Sequence, residues 1–266
     1  MNKPVIITGC QRSGTTLLHL ILDSHPDIHG VDEDAYDDAL FAAYREEARF
    51  HPVVSFKLPR VAFNLQVIQS YPGVQVLWCV RDPRDVVVSM IDLHMRLSKS
   101  VSVSWTAHPH GGEYEIYHGF RALPKRVQRA LAAPMRKYGW IKRKKRWARR
   151  HEDLVLTGAL VWRIKHELKA CYEAANIPHR VVRYEDLIGQ SREEVSRILS
   201  YLQVPWHDNV LQHHRLHTGV SIGETDNTRP IDRKSKGRWK EELSEKEQEV
   251  VRDLCAEAAA SYGYMI

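Results

Sequence analysis

The stretch KPVIITGCQRSGTTLLHLILDSHP, residues 3–26, constrains the fold more than any other. A β-branched run ends at Gly9 and a glycine-bounded loop follows. Beyond the loop, Leu18, Ile21, Leu22 and His25 fall on one helical face until Pro26 stops the helix. Strand, glycine turn and helix together make the unit from which a helix-covered parallel sheet is built. The loop keeps the Gly-x-x-x-x-Gly spacing of a phosphate cradle, from Gly9 to Gly14, and a hydroxyl at Thr16. Thr15 stands where such a loop carries its lysine, and Arg12 sits inside it. Backbone N–H groups of residues 10–16, with the positive end of the helix, form an anion site. Arg12 adds a planar fork of donors. The candidate cradle is therefore Gly9, Gln11, Arg12, Ser13, Gly14, Thr15 and Thr16.

The same alternation continues downstream. HPVVSFKLP reads as a second strand and VAFNLQVIQSYPG as a helix stopped by Pro72 and Gly73. VQVLWCV is apolar throughout, as a strand buried on both faces must be. RDPRDVVVSMIDLHMRL opens with Pro83 at a helix start, LVLTGALVWRIKHELKACYEAAN is a long helix and HRVVRYEDL a strand. Capping boxes are expected at Ser191/Glu194 and at Ser244/Glu247. The pattern predicts one α/β domain over residues 1–266, a three-layer sandwich around a mostly parallel sheet. Residues 98–152 break the rhythm and are read as an inserted, partly helical basic cap.

Charge is informative because it is uneven. Residues 121–150 hold thirteen Lys and Arg and no carboxylate, leaving 26 basic against 33 acidic residues elsewhere. Such a concentration points to a local anionic partner. The longest apolar runs are strand-length, too short to span a bilayer. With a strand expected from the first few residues, no signal peptide is expected, and Cys10, Cys79, Cys171 and Cys255 show no paired spacing. Reduced thiols in the cytoplasm are the expectation.

A second cluster, VLWCVRDPRDVVVSM, brings Arg81 directly off the buried strand, where ligands of open α/β sheets bind. Ser89 follows two helical turns later. GCQRSGTTLLHLILDSHPDI together with CVRDPRDVVVSM resembles the sulfotransferases that use 3′-phosphoadenosine 5′-phosphosulfate (PAPS). The bacterial, tyrosylprotein and carbohydrate branches look closer than the cytosolic steroid and phenol enzymes. The likeness covers residues 5–95, returns at 180–188 and is weak at 229–240.

The resemblance implies a P-loop nucleotide-kinase-like fold and an in-line sulfuryl transfer to an acceptor hydroxyl, releasing adenosine 3′,5′-bisphosphate. It also implies a loop that needs neither the lysine nor a metal, since a sulfuryl group carries less charge than a terminal phosphoryl group. By the family pattern, the loop would hold the 5′-phosphosulfate, and Arg81 and Ser89 the 3′-phosphate. Lys57 would meet the bridging oxygen, Tyr184 would lie near the adenine, and Arg238 would add a nucleotide contact. Glu33, after the HPD-like helix ending, would be the general base, with Asp32 and Asp34 beside it and His25 or His29 as weaker substitutes. The acceptor would be a glycan, a tyrosine or a small alcohol, acidic or carried on an anionic surface.

Two rivals stand beside this. An atypical P-loop kinase would use Asp82 to organise Mg²⁺, and the missing lysine counts against it. A nucleic-acid or polyanion module would use the basic run with its Trp140 and Trp147, although nucleic acid is not the expected partner. His213 and His217, one turn apart, have metal-ligand spacing but lack a supporting signature, and a solvated helix face is the expected reading.

Overall fold

The first strand, β1 (Lys3–Gly9), carries Val5, Ile6 and Ile7 with no exposed surface, so it needs cover on both faces and a partner on each edge. The computed structural model describes residues 3–32, 46–47, 49–97, 109–140, 151–221 and 225–266 and supplies both. The partners are β2 (Ile28–Val31), β3 (Val53–Lys57), β4 (Gln75–Val80) and β5 (His179–Arg183). All pairings are parallel, in the order β2-β3-β1-β4-β5, with Ile7 opposite Lys57 on one side and Leu77 on the other. The α/β expectation, a parallel sheet flanked by helices, holds.

The chain divides into two compact units, Met1–Val80 with Tyr172–Arg233, and Arg81–Cys171 with Lys234–Ile266. In the first, the strand period of two sends Val5, Ile7, Leu77, Cys79 and Val182 to one face of the sheet. There they meet Leu18, Ile21 and Leu22 of α1 (Thr15–Asp23) and Val195, Ile198 and Leu199 of the helix Ser191–Leu202. Side chains of the opposite parity include Phe56, whose ring lies 5.5 Å from Tyr71, and Trp78, 5.0 Å from Tyr172. The helix expected after β3 is broken in two, a 3₁₀ turn Pro59–Phe63 and a short helix Leu65–Gln69, because the Asn64 carboxamide caps Val67 and restarts the chain.

The second unit is helical where it is described: Pro83–Leu97, Pro109–Ala122, Lys125–Lys137, the long helix from His151, Trp239–Glu242 and Glu245–Ala260. Gly158 lets the long helix approach Val87, and Cys255 lies against Ala159. Arg163 is buried but paired with Glu167 and Glu257 at 2.7 and 2.8 Å, and it donates to the Leu254 carbonyl. Lys165 and Glu115, both buried, pair at 3.3 Å. Among the described residues no helix is long and apolar enough to cross a membrane.

One expected capping box forms and the other does not. Ser244 and Glu247 make both reciprocal bonds. Ser191 is already the first helical residue, with Gln190 as the N-cap, so its hydroxyl no longer faces the third amide. Glu194 is instead buried between Arg180 and Arg197, at 3.2 and 3.1 Å.

Two histidines are held neutral in the interior. Burial, aided by Lys165 and Lys169, pushes His166 down to about 3. Burial pushes His213 down to about 4 against the opposing bond to the Arg229 carbonyl. Both folded values lie below the unfolded one, so the unfolded state gains protons first on acidification. Stability should be full above about pH 6.5 and fall as pH drops toward 4, by about 1.4 kcal/mol per pH unit for each histidine. Urea midpoints across that range check this, and His213→Gln should flatten the slope. A wild-type midpoint constant from pH 6.5 to 4 would contradict the assignment.

Candidate functional site

The loop after β1 is held by its glycines. Gly9 has φ 121°, and a Cβ there would sit 2.2 Å from the Cys79 carbonyl oxygen of the neighbouring strand. Arg12 adopts a left-handed conformation at φ 66°, closed by the Ser13 amide bonding to the Cys10 carbonyl at 3.2 Å. Gly14 is left-handed as well, at φ 88°, and a Cβ on it would collide with the Tyr184 ring at 2.6 Å. Successive turns of this kind point backbone N–H groups inward. Gly14 is also the N-cap of α1 and brings no side chain to cap its first turn. The Ser13 hydroxyl is buried and has no hydrogen-bond partner among the described residues. Gln11 and Thr15 are buried, and Arg12 and Thr16 are half-buried. The loop thus combines positive-φ turns, a helix N-terminus without a side-chain cap and a buried hydroxyl with no partner among the described residues, a set that suits an anion.

Lys57 enters the same region from the end of β3. Its side chain is 1% exposed, and its ammonium lies 2.6 Å from Asp32 Oδ1 and 3.3 Å from Thr16 Oγ1. The register explains the meeting: Lys57 is opposite Ile7, two residues before the loop, and Asp32 follows directly on β2, the other neighbour of β3. A buried ammonium is tolerated only with such partners. The solvated lysine that a strand end usually carries is not what forms here.

His19 lies on α1, one turn beyond Thr16. Burial holds its imidazole below the ordinary range, Asp32 and Asp23 oppose this and Lys57 reinforces it. Gly30 leaves room for that ring, since a Cβ there would lie 2.7 Å from His19 Cε1.

Tyr184 is the first residue of the helix Tyr184–Gly189, not the last of the strand before it, and its ring closes over Gly14. Glu33 and Asp34 lie outside the described residues. His25 has both ring nitrogens in the framework, one 2.9 Å from the Pro205 carbonyl and the other accepting from the Asp27 amide. His213 and His217 do not make a metal pair or a solvated face. His213 is buried on the Arg229 carbonyl, and His217 meets Ser24 and Asp23.

In the second unit Arg81 and Ser89 are both buried. Arg81 donates through its guanidinium to the Ser235 carbonyl, sits 4.0 Å from Asp85, and receives on its own carbonyl the Trp162 indole N–H at 3.0 Å. Asp85 accepts from the amides of Gly237 and Trp239 at 2.7 and 3.3 Å, so segment 235–239 is tied to the helix Pro83–Leu97. Ser89 is four residues beyond Asp85 on that helix, on the same side. Arg238 is held by two carboxylates, Asp92 at 2.6 Å and Glu242 at 2.7 Å. Asp85 and Asp92 are the residues that sequence reading missed, although their helical spacing from Arg81 and Ser89 was legible. Asp82 is occupied by Arg84, whose guanidinium and backbone amide both bind its carboxylate.

Within the described part of the basic run, residues 121–140, the helix Lys125–Lys137 buries Leu131 and Met135 and exposes its cations. Lys137 and Tyr138 share Asp253. Trp147 and the cations of 141–150 lie outside the described residues.

Three comparisons extend this picture. The chain matches the family described as "Sulfotransferase domain" over residues 2–263. It is 22% identical over 245 residues to a Caenorhabditis briggsae protein named "Putative protein-tyrosine sulfotransferase", covering 80% of this chain and 69% of that protein. Its fold is similar to a sulfotransferase domain from the curacin biosynthetic pathway, with a TM-score of 0.61 at 14% identity, covering 100% of this chain and 99% of the other. A mouse sulfotransferase complexed with PAP is similar at a TM-score of 0.54 and 15% identity, covering 97% of this chain and 84% of that one.

Proposed function

This chain belongs to the sulfotransferase domain family, and from that premise we propose that it moves the sulfuryl group of PAPS to an acceptor hydroxyl, releasing adenosine 3′,5′-bisphosphate. The observation that carries the donor is the loop itself. It has left-handed turns at Gly9, Arg12 and Gly14, a buried Ser13 hydroxyl with no partner among the described residues, and a lysine arriving from a neighbouring strand instead of from position 15. PAPS would supply the activated sulfuryl group, and the residues present fit its 5′ end.

Each residue then has a task. The loop amides, with Arg12, Ser13, Thr15 and Thr16, would hold the phosphosulfate. The Lys57 ammonium would meet the charge that develops on the departing phosphate. Glu33 would take the acceptor proton, while Asp32, 2.6 Å from the Lys57 ammonium, would hold that group in place. In the second unit Arg81 and Ser89 would bind the 3′-phosphate, and Tyr184, against the loop, would flank the adenine. Arg238 would reach the nucleotide only by leaving Asp92 or Glu242. A tyrosyl hydroxyl is the first acceptor to test, after the C. briggsae relative's name. The basic run suits acidic residues around it. We assign the chain to the cytoplasm, where its four thiols would stay reduced.

The test is nucleotide selectivity. Adenosine 3′,5′-bisphosphate should bind about tenfold to a hundredfold more tightly than 5′-AMP, the worth of one or two charge-assisted hydrogen bonds to the 3′-phosphate. Calorimetry showing equal affinities would remove the donor assignment.

A further inference from the structure

Away from the lysine and the loop, three side chains of the first unit converge on one point. His29 is on β2, opposite Val54 of β3. Glu47 and His51 lie four residues apart on a helical turn just before β3, closed by the His51 amide bonding to the Glu47 carbonyl at 3.0 Å. The two imidazoles stack at 5.2 Å with their planes 26° apart. Both Nε2 atoms are directed at the same carboxylate oxygen, Glu47 Oε2, at 3.9 Å from His29 and 4.0 Å from His51. These separations are too long for hydrogen bonds. One ligand atom from each of the three residues falls within 4.8 Å of the others.

We propose that His29, Glu47 and His51 bind a divalent transition-metal ion of the zinc class. Two neutral imidazoles and a carboxylate make a borderline donor set that suits Zn²⁺, whereas Mg²⁺ and Ca²⁺ require oxygen ligands. Tetrahedral zinc with bonds near 2.0–2.1 Å places its ligand atoms about 3.3 Å apart. Small rotations of the three side chains supply that contraction. Their exposures, 35%, 33% and 31%, leave the ion a path from solvent and room for a water as fourth ligand. The ion takes no part in sulfuryl transfer. It ties β2 to the turn before β3, and so joins the two ends of the segment that carries Glu33.

The experiment uses the full chain stripped of metal and titrated with Zn²⁺ alone, in competition with a chromophoric chelator. One equivalent should bind, and His29→Ala, Glu47→Gln and His51→Ala should each weaken binding at least tenfold. Mg²⁺ should not compete. Zinc at a hundred times its Kd should raise Tm by roughly 5–10 °C, and Glu47→Gln, close in shape to the parent, should abolish that rise. Co²⁺ in place of Zn²⁺ should give a visible spectrum without a thiolate charge-transfer band, which sets the site apart from one built on Cys171. Failure to bind one equivalent would overturn the proposal. So would wild-type affinity in all three variants, which would place the ion on other histidines such as His207 or His214.

Discussion

Lys57→Met should lower sulfuryl-transfer turnover by about 10²–10³-fold, the usual cost of losing one preorganised stabiliser of developing charge. It should change affinity for adenosine 3′,5′-bisphosphate far less. The substitution also strands a carboxylate, because Asp32 is 23% exposed and lies 2.6 Å from the ammonium. A loss of stability is therefore expected alongside the loss of rate, up to about 3–5 kcal/mol if Asp32 behaves as fully buried and less for its partial exposure. The double variant Lys57→Met with Asp32→Asn separates the two effects. It should recover most of the stability and none of the turnover. If turnover returned with stability, Lys57 would be a structural residue and the leaving-group role would be lost.

Glu33→Gln should lower turnover by roughly 10²–10⁴, the range for a general base, and leave nucleotide binding intact. Single-turnover rates measured with saturating donor isolate the chemical step. The acidic limb of the pH–rate profile should disappear in the variant, a change that a purely structural defect would not produce. Asp32 is a poor substitute, since its carboxylate is committed to Lys57. His25 is a poor one too, with both ring nitrogens in the framework. Wild-type turnover in Glu33→Gln would move the search to His19, whose buried, neutral ring lies within the influence of Asp32 and Lys57.

What could be read from the sequence was local. β1, the glycine loop and α1 are one contiguous stretch whose period changes at Gly9. The Pro83 helix and the Ser244 cap likewise depend on residues within a turn of one another. Pairings between distant segments were not legible. Nothing in SFKLPR says that Lys57 is buried against Asp32, since that follows from β3 lying between β1 and β2. The Ser191 cap did not form because the helix takes Gln190 as its N-cap, and Arg180, on the distant β5, pairs with Glu194. His213 looked like part of a solvated pair until a short helix buried it. Tyr184 was expected on a strand, yet the chain turns into a helix at that residue and brings the ring to Gly14. The tie between Asp85 and segment 235–239 joins residues more than a hundred positions apart, and only the fold could show it.

The strand order has a consequence for synthesis. β4 pairs with β1 on one edge and with β5 on the other, Val76 meeting His179 about a hundred residues downstream. Leu77, Trp78, Cys79 and Val80 are almost wholly apolar. A nascent chain therefore presents a hydrophobic strand with one open edge from the time β4 emerges until β5 does, a span of several seconds or more at ribosomal speed. An edge of that kind is a template for pairing between chains. Contacts so far apart in sequence also close slowly after dilution from denaturant. Yield on expression should thus depend on how fast residues 81–183 are made and on chaperones that cover β4 meanwhile, more than on the equilibrium stability of the finished sheet.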